Sequence, residues 1–340
     1  VRPIVLGANR PERFYRGGPA IARFRGLPPG GERAPEDWVG STTTLWGEPR
    51  AGLTALGEGT LRDAVAADPE AWLGPEHAAR HGADPALLVK LLDAGERLPV
   101  HCHPDRAFSR RHLDCPFGKT EAWVVVETRG ERPAVHLGFR RDVEAETLAG
   151  WVARQDAAAM LDALHAVPVA PGDSVLVPAG IPHAIGAGVF LVELQEPTDL
   201  SVLLEWDGFA VDGVSDGHLG LGFDVALACV DRRGWGAERL AGLRRDEAAM
   251  RETAPGCGPS SCPGRTPTSA PSASAPGPSR ASRRPSRSSS CSTGRGRSRP
   301  TAAAACRCGG GRRSWCHTPR APGRLRGGLD ALRCLPPAVR

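Results

Sequence analysis

The chain has 340 residues, room for about two domains on length alone, and its 43 Lys and Arg against 38 Asp and Glu give a formal charge of +5. A basic total invites a nucleic-acid or membrane reading, but the location of the charge argues against both. Residues 255–321 hold twelve arginines and no Asp, Glu, Lys, Val, Ile, Leu, Met or Phe; without them the chain carries 31 cationic against 38 anionic side chains, a net of −7.

Other biases follow the same division. Lys90 and Lys119 are the only lysines, Tyr15 the only tyrosine and Asn9 the only asparagine, the signature of very GC-rich coding DNA; Val1 reads as an initiator codon written literally. Six of the ten cysteines (Cys257, Cys262, Cys291, Cys306, Cys308 and Cys316) fall in the arginine-rich block, and four (Cys102, Cys115, Cys229 and Cys334) outside it. No leader-like segment opens the chain, and no apolar run approaches the ~20 residues of a membrane span. The expectation is a cytoplasmic protein of a reducing compartment, without a disulfide framework.

In chain order, residues 1–50 are punctuated by Gly and Pro, and short apolar pieces at 38–41 and 42–46 predict strands and turns. Residues 60–94 read as partly helical, at 61–65 and 75–79, while the apolar run 87–92 fits a helix or a buried strand equally. Strands are expected at 98–103, 122–127 and 134–139. Leu148, Trp151, Val152, Met160, Leu161 and Leu164 then recur at helical spacing, so one or two helices interrupt the strands. Strand character returns at 174–177, 189–192 and 200–206. Many short strands with Gly/Pro turns predict a mainly β fold, a sandwich or jelly-roll barrel with a short helical insertion.

Two segments carry chemistry. Gly95 is followed after five residues by His101-Cys102-His103. On a strand the two imidazoles share a face, roughly 6.5–7 Å apart at the backbone, while Cys102 points away. Gly172 is followed after five residues by Pro178-Ala179-Gly180-Ile181-Pro182-His183, a strand ending in a turn that presents a third histidine. Between them, Glu121 enters a strand. Three histidines and a carboxylate make an N₃O set for a divalent ion, with positions left for substrate or water. Singly, each has a structural reading: a surface His-x-His pair, a solvated Glu121, a core-filling Cys102. Together the two spacings match the signature motifs of cupin barrels.

The chain further resembles the class I mannose-6-phosphate isomerases, the cupin-fold phosphomannose isomerases, over residues 1 to about 230. The resemblance rests on Arg16-Gly17-Gly18, Glu36-Asp37-Trp38-Val39-Gly40-Ser41, Leu88-Val89-Lys90-Leu91-Leu92-Asp93-Ala94 and His101-Cys102-His103-Pro104-Asp105. It continues through Gly118-Lys119-Thr120-Glu121-Ala122-Trp123, Pro178-Ala179-Gly180-Ile181-Pro182-His183-Ala184-Ile185-Gly186 and Val192-Glu193-Leu194-Gln195. It implies one Zn²⁺ per chain held by His101, His103, Glu121 and His183, with His101 standing where the family usually has Gln. It implies catalytic groups at Lys119, Glu193 and Asp199, and Leu203 stands where the family places an arginine. That departure implies that another group serves, that the sugar differs, or that activity is weak. The implied reaction converts mannose 6-phosphate to fructose 6-phosphate through a cis-enediol, in a monomer with a small sugar-phosphate substrate and no nucleic-acid or membrane partner. The alternatives are a non-catalytic, metal-holding sugar-binding cupin and an isomerase of another sugar. Lys119 with Arg106, Arg110 or Arg111 is the expected source of cations for a phosphate.

The sequence divides into a metal-binding cupin domain (1–253), an Arg/Ser/Pro-rich block (254–321) that is disordered or frameshifted, and a remnant of a last cupin strand (322–340). A second cupin half is what the family leads one to expect there. Alternative readings of the block are a basic arm for RNA or anionic surfaces, or a small metal site at Cys306, Cys308, Cys316 and His317.

Overall fold

The computed structural model describes residues 4–245 and, beyond them, three short strands at 304–308, 312–316 and 331–333. In chain order the strands are β1 (Glu36–Trp38), β2 (Ala55–Leu56), β3 (Gly59–Thr60), β4 (Leu88–Asp93), β5 (His101–Cys102), β6 (Glu121–Thr128), β7 (Ala134–Phe139) and β8 (Leu164–Pro168). They continue with β9 (Ser174–Val177), β10 (His183–Ile185), β11 (Val189–Gln195), β12 (Val202–Leu203), β13 (Arg244–Arg245), β14 (Ala304–Cys308), β15 (Arg312–Cys316) and β16 (Ala331–Arg333). Two antiparallel sheets make the barrel, one in the order β1-β4-β11-β6-β9-β13 and the other β12-β5-β10-β7-β8. Long crossings such as β4 to β11 and β6 to β9 are those of a jelly roll.

Side-chain alternation explains what fills it. Trp123 and Val125 of β6, Val175 and Val177 of β9, Val189 and Leu191 of β11 and Leu92 of β4 meet Val135 and Leu137 of β7 and Ile185 of β10 in one core between the sheets. Trp123 is fully buried, so its truncation removes about 3–5 kcal/mol. Strands β4 and β11 are buried on both faces, because the helix Ala20–Arg25 (α1) covers Val89, Leu91, Phe190 and Val192 from outside. Their inward set is therefore Leu88, Lys90 and Leu92 on β4, and Leu191, Glu193 and Gln195 on β11. The run 87–92, which fitted a helix or a strand, is a strand, and its period of two places Lys90 inward with Leu88 and Leu92.

The outer face of the five-stranded sheet is covered by the helical insertion, Ala145–Arg154 and Ala157–Ala163, whose Leu148, Val152 and Met160 pack with Phe139. Cys102 belongs to that cluster, on the face opposite His101 and His103, as alternation requires. The expected strands at 134–139 and 174–177 are present as read, whereas 98–103 and 200–206 shorten to two-residue bridges. There Val100 and Glu205 hold one another through side-chain as well as backbone bonds, which interrupts regular pairing. Residues 42–46 are a loop and 20–25 a helix, where strands and turns were expected.

The strands β14, β15 and β16 form a small antiparallel sheet in the order β15-β14-β16. Two of them lie in the block read as disordered or frameshifted. Pairing needs only backbone N–H and C=O groups, and residues 301–317 contain no proline to interrupt it. The remainder of the block at 254–303, and His317 of the alternative metal site, lie outside the described residues.

Candidate metal centre

The histidines meet because their strands are neighbours. His101 of β5 stands directly across from His183 of β10, and Leu203 of β12 is across from His101 on the other side. Gly180, at a φ of 91°, makes the turn that carries the chain into His183. After His103 the chain turns away under Asp105, whose carboxylate caps the helix Arg106–His112 at Phe108 N–H (2.8 Å). It returns at Gly118, packed so closely on the Asp105–Arg106 backbone that a Cβ would lie 2.8 Å from it. Lys119 N–H then bonds Pro104 O (3.0 Å), and β6 starts with Glu121 reaching across from the opposite sheet.

All three rings are fixed the same way. Nδ1 of His101, His103 and His183 lies 2.8 Å from the carbonyl oxygens of Pro99, Leu200 and Ile181 respectively. A carbonyl only accepts, so each Nδ1 carries the proton and each Nε2 is left with its lone pair. The three ligand nitrogens lie within 4.8 Å of one another. Glu121 Oε1 is 2.9 Å from His103 Nε2, Oε2 is 3.8 Å from His183 Nε2, and Trp123 Nε1–H steadies Oε2 at 3.0 Å.

Electrostatics keep the rings neutral. Burial, with His183, His103 and Lys119 nearby, holds His101 well below the usual histidine range. Burial and then Lys119 bring His103 down to about 3, and burial lowers His183. Glu121 goes well below the carboxylate range: burial opposes this, but Lys119 and His103 outweigh it. Neutral imidazoles and an ionised carboxylate are what a divalent cation requires. A neutral His103 Nε2 facing a carboxylate oxygen at 2.9 Å sets two lone pairs against each other, a contact that needs a cation beside it. His183 Nε2 is buried without a hydrogen-bond partner. That orphaned nitrogen, with the donor set of three imidazoles and a carboxylate, fits a metal ion. Lys119 Nζ supplies a positive charge here, 3.1 Å from both His103 Nε2 and Glu121 Oε1.

Beside the cluster is a cavity walled by Tyr15, Glu36, Lys90, Glu193, Ser201 and Leu203, among others. Lys90, 2 % exposed, lies between Glu193 (3.5 Å), Glu36 (3.6 Å) and Asp199 (3.9 Å), with its ammonium 4.7 Å from the ring centre of Trp38. Burial works against its charge, yet Glu36, Glu193 and Asp199 together raise its pKa. Glu36 accepts from Tyr15 Oη and Trp38 Nε1, and, although burial opposes it, Lys90 and Arg13 hold it at about 2. Glu193 differs: burial and then the charge of Glu121 push it up to about 7.

Thus the structure brings His101, His103, Glu121, His183 and Lys119 into one cluster, with Glu193 facing the adjoining cavity. Asp199 lines an open groove of about 530 Å³ that runs past Leu200. Of the arginines expected to meet a phosphate, Arg106 pairs with Glu196, and Arg110 and Arg111 are exposed on their helix. Arg13, Tyr15, Glu36 and the inward role of Lys90 were missed. A lysine inside an apolar strand run was the available signal for Lys90.

Fold and site together define a cupin barrel with a buried histidine–carboxylate cluster able to hold a metal ion. No protein-family model matches the chain. Mannose-6-phosphate isomerase ManA of Bacillus subtilis is 32% identical over 118 residues, 35% of this chain and 36% of its own. The mannose-6-phosphate isomerase of Streptococcus mutans is 36% identical over 113 residues, 33% and 34% of the two chains. The chain therefore matches about a third of the length of these curated relatives. Among solved structures, the mannose 6-phosphate isomerase of Bacillus subtilis superposes with a TM-score of 0.52 at 23% identity, covering 68% of this chain and 69% of that one. The chain is similar to these mannose-6-phosphate isomerases over about a third of its length and shares the fold of the solved one. Among the described residues, no helix is long and apolar enough to cross a membrane.

Proposed function

We propose that the protein is a metal-dependent aldose–ketose isomerase interconverting mannose 6-phosphate and fructose 6-phosphate. The observation that carries this reading is the cluster of three tautomer-fixed histidines and Glu121 beside a cavity holding a carboxylate near neutrality. We take the ion to be one Zn²⁺ per chain, held by His101, His103, Glu121 and His183; when bound, it would polarise the sugar oxygens and stabilise developing negative charge on them.

The remaining work falls to the chain. Moving a proton between C2 and C1 through a cis-enediol needs a base that is largely ionised yet still strong at working pH. Glu193, raised to about 7, meets that requirement, and Lys90 at 3.5 Å steadies its ionised form. Lys119 stands at the metal end of the site, 3.4 Å from Ser201 Oγ, where its N–H groups can donate to a sugar oxygen. Asp199 completes the set from one step back, by holding Lys90 and Arg13 in place. Leu203 gives the cavity an apolar wall where the resemblance implied an arginine. We further propose a cytoplasmic monomer whose cupin unit comprises residues 1–253, with 254–321 and 322–340 as separate segments.

The test is a coupled assay on the zinc-loaded chain. Formation of fructose 6-phosphate from mannose 6-phosphate is the expected result. Stoichiometric zinc with no turnover of any sugar would replace this reading by a metal-holding binding cupin, and turnover confined to free sugars would replace the substrate.

A further inference from the structure

Asp199 links the open groove to the inner cavity through its ion pairs, the closer of them with Arg13. Asp199 lines the groove with Thr43, Trp46 and Leu200, whereas Arg13 lines the cavity with Lys90 and Glu193. Two parallel bonds join them, Arg13 Nη1 to Asp199 Oδ2 at 3.0 Å and Nη2 to Oδ1 at 3.3 Å. Trp46 N–H also donates to Asp199 Oδ2 at 3.4 Å, so the loop forming the groove's rim is tied to the same carboxylate.

The three cations of the site are not equivalent. Lys90 is surrounded by three carboxylates, and Lys119 is committed to Glu121 and His103. Arg13 is the one that makes hydrogen bonds to the groove-facing Asp199, which Lys90 meets only at 3.9 Å, and its Nε is buried with no hydrogen-bond partner, Glu36 Oε2 lying 3.8 Å away. A guanidinium presents a planar fork of donors that fits a phosphate as well as a carboxylate, and a phosphate monoester brings more charge and more acceptors than Asp199 does. Asp199 is the member of this pair that lines the groove, and Arg13 the member that lines the cavity.

We propose that Arg13 is the anion-recognition residue of the site: it exchanges Asp199 for the phosphate monoester of the entering substrate, and the Arg13–Asp199 clasp separates cavity from groove until that exchange. The proposal rests on the sugar-phosphate reading above, and phosphate binding tests it without calling on isomerase activity.

Inorganic phosphate is titrated by calorimetry into the zinc-loaded full chain, wild type and variants, with zinc content and melting temperature measured alongside. Arg13→Gln is expected to weaken phosphate by about tenfold or more, a lost charge-assisted hydrogen bond; Arg13→Lys loses less, and Asp199→Asn, which removes the competing carboxylate, tightens it. In the coupled assay Arg13→Gln is expected to raise KM for mannose 6-phosphate more than it lowers kcat. Phosphate affinity equal in wild type and a folded, zinc-replete Arg13→Gln would overturn the proposal, as would no phosphate binding by wild type. Should Arg13→Gln not fold, unchanged or weaker phosphate binding by Asp199→Asn overturns it. Phosphate bound through Arg13 with no turnover of mannose 6-phosphate would remove the isomerase reading and leave this one standing.

Discussion

The five-stranded wall of the barrel contributes neutral imidazoles, and the six-stranded wall contributes charge. On the first wall His101 and His183 are register partners, and all three rings of the cluster are oriented by backbone carbonyls. On the second wall Lys90, Glu193 and Glu36 are oriented mainly by one another and by Arg13 and Asp199. The difference teaches what each wall can lose. Ligands fixed to the backbone can be removed singly without disturbing their neighbours' positions, whereas removing one charge from a buried network strands the others.

The sharpest way to break this comparison is His183→Ala. The expected outcome is loss of stoichiometric metal with the fold retained, read by metal analysis and circular dichroism; full retention of metal would sink the ligand assignment. Next is Glu193→Gln, expected to lower kcat by about 10²–10⁴-fold with metal content unchanged. The pH profile gives the sign. Glu193 is protonated below about 7, so the base form, and kcat/KM with it, rises as pH increases through that value; a bound divalent cation favours the carboxylate and moves the limb lower. The Gln variant should lack the limb, and a limb that persists unchanged would assign the base elsewhere.

Lys90→Met probes the charged wall as a structural unit. Glu36, Glu193 and Asp199 lose their shared cation, so stability should fall by about 3–5 kcal/mol in denaturant titration. A loss under about 1 kcal/mol would show that Arg13 alone suffices for the network. Smallest is Arg106→Ala. Its partner Glu196 is buried, but the guanidinium is 42 % exposed, so the change should stay within about 1 kcal/mol and leave phosphate affinity as it was. A large loss of phosphate binding would return Arg106 to the anion site.

The two walls also differ in how far they could be read from the sequence. The histidine wall was legible because its information is local: His101 and His103 are two apart on one strand, and the Pro-x-Gly turn that presents His183 is written out beside it. The face assigned to Cys102 followed from the same alternation. The charged wall was legible only through the resemblance, which named Glu193 and Asp199, since its members come from separate segments: the pairing of β1 with β4 and of β4 with β11 places Glu36, Lys90 and Glu193 on neighbouring strands, while Arg13, Tyr15 and Asp199 arrive from outside them. No spacing rule joins Arg13 to a carboxylate 186 residues away.

The central claim is that the metal cluster is the seat of sugar-phosphate isomerisation, and an activity titration tests it most directly. Metal-free protein is supplied with increasing zinc, and conversion of mannose 6-phosphate is followed against bound metal per chain. Activity should be absent without metal, rise in proportion to bound zinc and level off near one equivalent. Turnover that is undiminished after complete chelation would contradict the account.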